Sequence, residues 1–334
     1  MSAESDLAAG VRAGHTRMLA RAISVVEDGG PEAAALLAAL RTAKPSEASG
    51  PRIVLGITGA PGAGKSSVVA ELLSAYRERD LSVAVLAVDP SSPMTGGAVL
   101  GDRVRMQRHA TDAKVFIRSM AARGHLGGLS AATGQAIAVL QAAGFEVVIV
   151  ETVGVGQSEV DIASVCDCVV IVMAPGMGDS VQAAKAGVLE IGDILVVNKA
   201  DRDGAEATAR ELRQMVALGD ALAESRRTAA QEDQSAELPD WRQRVVLTTA
   251  NIDGGVTALV NAIDAHQDWL TGTQSRGRRG LQRAQEEILR MALSQERGRL
   301  AAAPALPSLA EQVVAGQLDV PAAAALLRDA SSAS

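Results

Sequence analysis

Aromatic residues are nearly missing from this chain: they make up 1% of 334 residues, with two Trp, one Tyr and two Phe. A hydrophobic fraction of 48% must therefore be packed with Ala, Val, Leu and Ile. That composition suits helices lying close on a sheet and disfavours a β-sandwich, which normally uses more aromatics. Cysteine is scarce too. Cys166 and Cys168 supply no disulfide framework, and residues two apart on one strand are poorly placed to bridge. The opening MSAESDLAAG lacks the basic start and apolar core of a secretory signal. No apolar run is long enough to span a bilayer. The net charge of −7 gives none of the basic excess that a nucleic-acid binder carries. The expectation is a soluble protein of the reducing cytoplasm, with neither nucleic acid nor membrane as a partner.

What is present is an alternation. Residues 5–44 read as helix, with Leu7, Val11, Met18, Leu19, Ile23 and Val26 at helical spacing. Gly29-Gly30-Pro31 breaks that pattern before a second, Ala-rich helix, and KPSEASGP follows as a linker. From Pro51 short apolar runs alternate with helical stretches: RIVLGITG, SVAVLAVD, AKVFIRS, EVVIVET, CVVIVMAPG, DILVVNKAD and RVVLTTAN. Continuous apolar runs predict strands covered on both faces, hence an α/β fold with a mostly parallel central sheet and crossover helices. The polar segment 229–240 reads as a loop or helix end. A basic stretch from Ser275 leads into a helix carrying Leu281, Ile288, Leu289, Met291 and Leu293, and two short helices close the chain. The expected division is a helical extension over 1–50, a sheet domain over 51–270 and a helical arm over 271–334.

Three segments carry chemistry. GAPGAGKSS, comprising Gly59, Ala60, Pro61, Gly62, Ala63, Gly64, Lys65, Ser66 and Ser67, follows a strand and opens a helix, the setting that a phosphate-binding P-loop requires. Its glycines let backbone N–H groups turn towards phosphate oxygens, assisted by the helix N-terminus. Lys65 brings a positive charge to the β- and γ-phosphates, and the Ser66 hydroxyl can ligate Mg²⁺. NKAD places Asn198, Lys199 and Asp201 at the end of another strand. The Asp201 carboxylate can accept paired hydrogen bonds from guanine N1–H and its exocyclic amine, whereas adenine presents a different pattern, so the bound nucleotide is expected to be GTP or GDP. Glu151 ends the strand EVVIVET, at the edge where open parallel sheets hold their ligands, and is placed to serve Mg²⁺ directly or through water. Asp89 and Asp102 compete for the same task; taken singly, each is equally well explained as a cap or loop acid.

With these residues in hand, the chain resembles the MeaB/ArgK-type P-loop GTPases, chaperones of adenosylcobalamin-dependent acyl-CoA mutases. The resemblance rests on GAPGAGKSS, VDPSSPMTGGAVLGDRVRM, ETVGVGQSEVD, APGMGDSVQAAKAG and NKAD in that order, and covers nearly the whole length. It makes the acid at Glu151 the family's own, and implies metal-associated roles for Asp89, Asp102 and Glu151. It further implies that GDSVQAAKAG is a switch, with Asp179, Gln182 and Lys185 changing contacts when nucleotide or mutase binds. Lys185 would then neutralise charge on the transferring phosphoryl group and join Lys65 and Glu151 as a catalytic residue. In the loop that brushes the guanine, the family commonly has Ser-Ala. Here Thr249, Ala250 and Asn251 stand in that segment, and the Thr249 and Ala250 N–H groups are expected to serve the base. The implied function is Mg²⁺-dependent GTP hydrolysis that gates loading, protection or reactivation of an acyl-CoA mutase, with methylmalonyl-CoA mutase the default. The adenosylcobalamin is held only through that partner, and the C-terminal arm makes a homodimer. A nickel-type metallochaperone GTPase and a small-molecule kinase remain as alternatives.

The remaining signals read plainly. Cys166-Asp167-Cys168 invites a metal, but a tetrahedral site takes about four ligands and no C-x-x-C or paired His accompanies it. His15, His109, His125 and His266 form no motif and are expected at surface or satisfied positions. Arg276, Arg278, Arg279 and Arg283 read as a solvated linker at a helix start.

Overall fold

The structure, a computed structural model, describes residues 3–41, 53–90, 108–109, 111–122, 131–152, 161–176, 191–229, 241–273 and 275–332. The chain forms two compact units, Met1–Arg279 and Gly280–Ser334.

The first unit opens with α1 (Ala3–Arg12), α2 (Thr16–Asp28) and α3 (Gly30–Arg41). Apolar spacing runs unbroken through residues 7–26, yet the chain turns between α1 and α2. Gly14 adopts φ 72°, and its N–H and that of His15 return to Val11 and Gly10. This is a left-handed glycine stop that periodicity alone does not reveal.

All seven apolar runs are strands: β1 (Ile53–Thr58), β2 (Val83–Pro90), β3 (Val115–Ala122), β4 (Val147–Thr152), β5 (Cys168–Met173), β6 (Ile194–Val197) and β7 (Arg244–Leu247). They line up as β3-β2-β4-β1-β5-β6-β7, and every pairing is parallel. Parallel neighbours need long crossovers. These include α4 (Lys65–Glu78), α5 (Ala131–Ala142) and α6 (Ala205–Ala229), and α7 (Thr257–Gly272) follows β7.

Alternation along each strand divides the apolar residues between two cores. Val54, Val148, Val150, Val169 and Leu195 pack with Leu19 and Ile23 of α2, Leu36 of α3 and Leu140 of α5. Leu55, Ile57, Ile149, Val170 and Val196 pack on the other face with Val68, Leu72 and Leu73 of α4 and Ile263 of α7. The inner strands β1, β4, β5 and β6 are buried along their whole length, which is why they read as continuous apolar runs. Each fully buried Val, Leu or Ile contributes about 1.5–3 kcal/mol, so the paired cores hold the sheet without aromatic bulk. The N-terminal helices share the first of these cores with the sheet.

α8 (Ser275–Ala301) begins at the basic stretch itself, so the Arg cluster expected in a solvated linker lies on helix. Arg276 reaches Gln267 (3.0 Å), and Arg279 reaches Asp193 (3.0 Å). The second unit comprises the rest of α8 with α9 (Ala305–Val314) and α10 (Val320–Ser332), and α9 packs on α10. Pro321 sits in the first turn of α10, where its missing N–H is harmless, and Asp319 Oδ1 accepts from the Ala322 N–H at 2.7 Å. Leu281, Ile288, Leu289 and Leu293 are each more than 60% exposed. Among the described residues, no helix is long and apolar enough to cross a membrane.

Candidate functional site

Because every strand runs the same way, the carboxyl ends of β1, β4, β6 and β7 open onto one edge of the sheet. That edge receives Gly59, Glu151, Asn198 and Thr248 in turn. The P-loop leaves β1 at Gly59, whose φ of 132° and contact with Val172 admit no side chain, since a Cβ there would overlap the Val172 carbonyl. Gly64, at φ 95°, precedes α4 and lies against the Asn198 amide, so a Cβ would collide with Asn198. Lys65 is the first residue of α4 and is 7% exposed. Its Nζ donates to the Gly59 and Ala60 carbonyls at 2.7 and 3.1 Å. The ammonium is thus held over the loop by backbone oxygens. Pro61 and Gly62 are exposed at the loop's tip and Ala63 is buried beneath it. Ser67 follows Ser66 in the first turn of α4.

Glu151 is 3% exposed, and its Oε1 accepts a hydrogen bond from Ser66 Oγ at 2.7 Å. Strand alternation explains the meeting: Ile149 and Glu151 face α4, whereas Val148 and Val150 face the opposite core. A hydroxyl and a carboxylate side by side at a helix N-terminus are hard oxygen donors of the type that Mg²⁺ takes. Asp89 occupies the carboxyl end of β2, opposite Ala121 in the register. Asp102, Asp179, Gln182 and Lys185 lie outside the described residues.

At the carboxyl end of β6, Asn198 is 3% exposed and links three segments. Its Nδ2 donates to the Ala63 carbonyl at 3.0 Å; its Oδ1 accepts from Thr248 Oγ1 at 3.1 Å and from the Ala250 N–H at 3.2 Å. Lys199, at φ 58°, donates from Nζ to the Gly62 carbonyl at 2.7 Å. The P-loop and the segment after β6 are therefore tied to each other through Asn198 and Lys199. Asp201 and Asn251 are exposed, as recognition of a ligand edge requires. The two loop N–H groups expected to serve guanine are engaged within the protein. Thr249 donates to the Gly255 carbonyl at 3.0 Å, because the loop closes on itself there, and Ala250 donates to Asn198.

With this geometry in place, likeness to known proteins decides the family. Residues 19–305 match the family described as methylmalonyl-CoA mutase-associated GTPase MeaB. The chain belongs to the MeaB GTPase family. Among MeaB-like relatives, a putative GTPase of Pyrococcus abyssi is 45% identical over 278 residues, 83% of this chain and 80% of that protein. GTPase ArgK of Escherichia coli is 37% identical over 278 residues, 83% of this chain and 79% of the relative. A crystal structure described as an LAO/AO transport system kinase superposes with a TM-score of 0.67 at 27% identity, covering 98% of this chain and 96% of the other. This MeaB-family chain is a GTPase with a P-loop fold.

One cluster at the opposite, amino-terminal edge of the sheet escaped the sequence reading. Cys168, Asp193 and His266 are buried, and their ligand atoms lie within 4.8 Å of one another. The set has the residue types of a metal site, but Asp193 is already compensated. Its Oδ1 lies 3.0 Å from the Arg279 guanidinium and 3.3 Å from His266 Nε2, its Oδ2 accepts the Val169 N–H at 2.9 Å, and its carbonyl accepts Trp241 Nε1 at 2.8 Å. A dication would sit close to the guanidinium that already neutralises this carboxylate at 3.0 Å, and like charges repel at that range. The cluster is an ion-pair node. Burial pushes the Asp193 carboxyl up, but the close approach of His266, the Arg279 charge and the Val169 N–H outweigh it and hold the group below the ordinary carboxylate range. Burial, with Asp193 nearby, drives the Cys168 thiol well above its ordinary value, so it behaves as a small apolar filler. Trp241 stands edge-on to His266, with centroids 4.7 Å apart, and Trp269 lies at 5.4 Å from it. Both tryptophans of this aromatic-poor chain are gathered here. That concentration was the available signal.

Proposed function

We propose that this GTPase works with Mg²⁺ as a chaperone of an adenosylcobalamin-dependent acyl-CoA mutase, methylmalonyl-CoA mutase first, gating loading, protection or repair of the cofactor that the mutase holds. The observation that carries this reading is the family match, whose description names association with that mutase. The geometry supports the nucleotide half. Lys65 and the P-loop N–H groups bind the phosphates, Asp201 reads the guanine edge, and Asn198 keeps the two loops in register. Ser66 and Glu151 hold Mg²⁺, which supplies charge neutralisation on the phosphates when bound. Asp89 and Asp102 belong to the same metal-facing set, and Asp179, Gln182 and Lys185 form the switch through which the mutase completes the hydrolytic geometry. Hydrolysis does work on a partner only when the GTP and GDP forms bind that partner differently. The domain plan is a helical extension over 1–50, a GTPase domain over 51–270 and an arm over 271–334. The arm pairs two copies through its exposed apolar residues, among them Leu281 and Ile288, seven positions apart on one face of α8, and the protein acts in the cytoplasm.

The test is reconstitution with a purified adenosylcobalamin-dependent mutase. GTP turnover should rise on adding the mutase, and the mutase should bind the GTP and GDP forms with different affinities. No change in turnover, together with equal binding of both forms, would set the chaperone reading aside while leaving the GTPase itself intact.

A further inference from the structure

We propose that Thr58 and Thr152 are a positioning pair for the phosphate and metal end of this GTPase site, a role that no motif assigns to them. The proposal rests on the reading of Ser66 and Glu151 as the Mg²⁺ side of the site. Thr152 Oγ1 donates to Thr58 Oγ1 at 2.8 Å, and the two residues are 1% and 0% exposed.

Their place in the chain is what gives the bond consequence. Thr58 directly precedes Gly59 of the P-loop, and Thr152 directly follows Glu151. The β1–β4 register runs from Ile53↔Val147 to Ile57↔Glu151, so the threonines stand one residue past the last pair. The hydroxyl bond extends the pairing of the two strand ends at the point where both leave the sheet. Side chains alternate, and Thr58 and Thr152 share the face of Val54 and Val150, whereas Glu151 turns the other way to meet Ser66 on α4. The pair is thus on the wrong face to touch phosphate or metal, and acts through the backbone.

Chemistry points the same way. Along this face Val54, Val148 and Val150 are valines, and Gly56, between Val54 and Thr58, lies against Ile162 and Cys166. Valine has nearly the shape of threonine without a hydroxyl that needs a partner, so packing alone gives no reason for two threonines here. What the hydroxyls add is a fixed separation between the end of β1 and the end of β4. From the first end the P-loop leads to Ser66, and on the second stands Glu151. The 2.7 Å contact between Ser66 and Glu151 depends on that separation, and small misplacements of charge-stabilising groups are costly in rate.

The experiment compares the wild type with Thr152→Val, Thr58→Val, the double variant and Thr152→Ser. It measures kcat and KM for GTP. Independently of turnover, it also measures the Mg²⁺ concentration that half-maximally slows release of a fluorescent GDP analogue. For each valine variant, kcat should fall roughly three- to tenfold, the range set by one modest hydrogen bond, with KM for GTP almost unmoved. The Mg²⁺ requirement should rise by a similar factor. The double variant should be no worse than either single one, because both remove the same bond, and Thr152→Ser should retain wild-type behaviour. A Thr152→Val protein with wild-type kcat and Mg²⁺ dependence would overturn the proposal. So would additive losses in the double variant, or a serine variant as impaired as valine, which would trace the effect to packing. Magnesium-independent release from the wild type would remove the reading beneath the proposal, and the proposal with it. A magnesium-dependent wild type with an indifferent valine variant removes the proposal alone.

Discussion

Replacing Asn198 with Ala removes a side chain that joins the P-loop to the ends of β6 and β7. Three hydrogen bonds vanish: to the Ala63 carbonyl at 3.0 Å, from Thr248 Oγ1 at 3.1 Å and from the Ala250 N–H at 3.2 Å. At about 1 kcal/mol net for each, the loss is about 3 kcal/mol. Were all of it expressed in binding, affinity would fall by about a hundredfold, since about 1.4 kcal/mol is tenfold. The bonds exist in the protein before any nucleotide arrives, so the loss divides between folding and binding. The expected result is GDP affinity weakened at least tenfold by calorimetric titration, together with a Tm lower by several degrees. A matched control is Leu72→Ala, which empties a fully buried position of α4 and costs about 2–5 kcal/mol of stability. That variant should lose Tm and keep its GDP affinity. An Asn198→Ala protein that binds GDP as tightly as wild type would refute the claim that this residue sets the register of the two loops.

Three further outcomes are expected. Lys65→Ala should abolish GTP turnover, measured as phosphate release from pure protein, because the positive charge seated in the loop is lost; undiminished hydrolysis would count against the P-loop as the reacting site. Asp201→Asn should weaken GTP strongly and let xanthosine triphosphate compete in a displacement assay, whereas unchanged GTP preference would discard the base-reading role. Asp193→Asn should destabilise the protein at neutral pH by about 1–3 kcal/mol, the usual worth of hydrogen bonds to a charged group, since the Arg279 partner is 37% exposed and can be hydrated. The folded carboxyl is held below its ordinary value, so its contribution is complete above the unfolded pKa of about 4 and is lost as pH falls through the lower folded value. The Tm gap between wild type and variant should therefore narrow only in acid; a gap independent of pH down to that range would show that the charge of Asp193 is not what matters.

The sheet was legible because burial on both faces of the inner strands leaves a plain trace in the sequence, and the seven apolar runs became seven parallel strands. The meeting of the P-loop, Glu151 and NKAD at one edge of the sheet was legible because each follows a strand of the same direction, and a parallel sheet opens all its carboxyl ends on one side. Gly14 was missed because a helix stop by a left-handed glycine disturbs no hydrophobic period. The Asp193–His266–Arg279 node was missed for a different reason. Its members are spread over 86 positions from Asp193 to Arg279, and only tertiary packing brings α7, the start of α8 and the foot of β6 together. The Arg cluster accordingly read as solvated charge, although one of its members, Arg279, reaches a buried carboxylate. Similarly, the Thr249 N–H was assigned to the base because sequence shows that a donor exists there, whereas the turn to Gly255 that engages it is a matter of backbone geometry.

The account stands or falls on one domain gripping guanine and phosphates together, and the most direct measurement is calorimetric titration of the purified chain with GDP, GTP and ATP, with and without Mg²⁺. It predicts one site per chain, guanine nucleotides bound far more tightly than ATP, and tighter binding when Mg²⁺ is present. Equal affinity for ATP, or no heat from either guanine nucleotide, would contradict it.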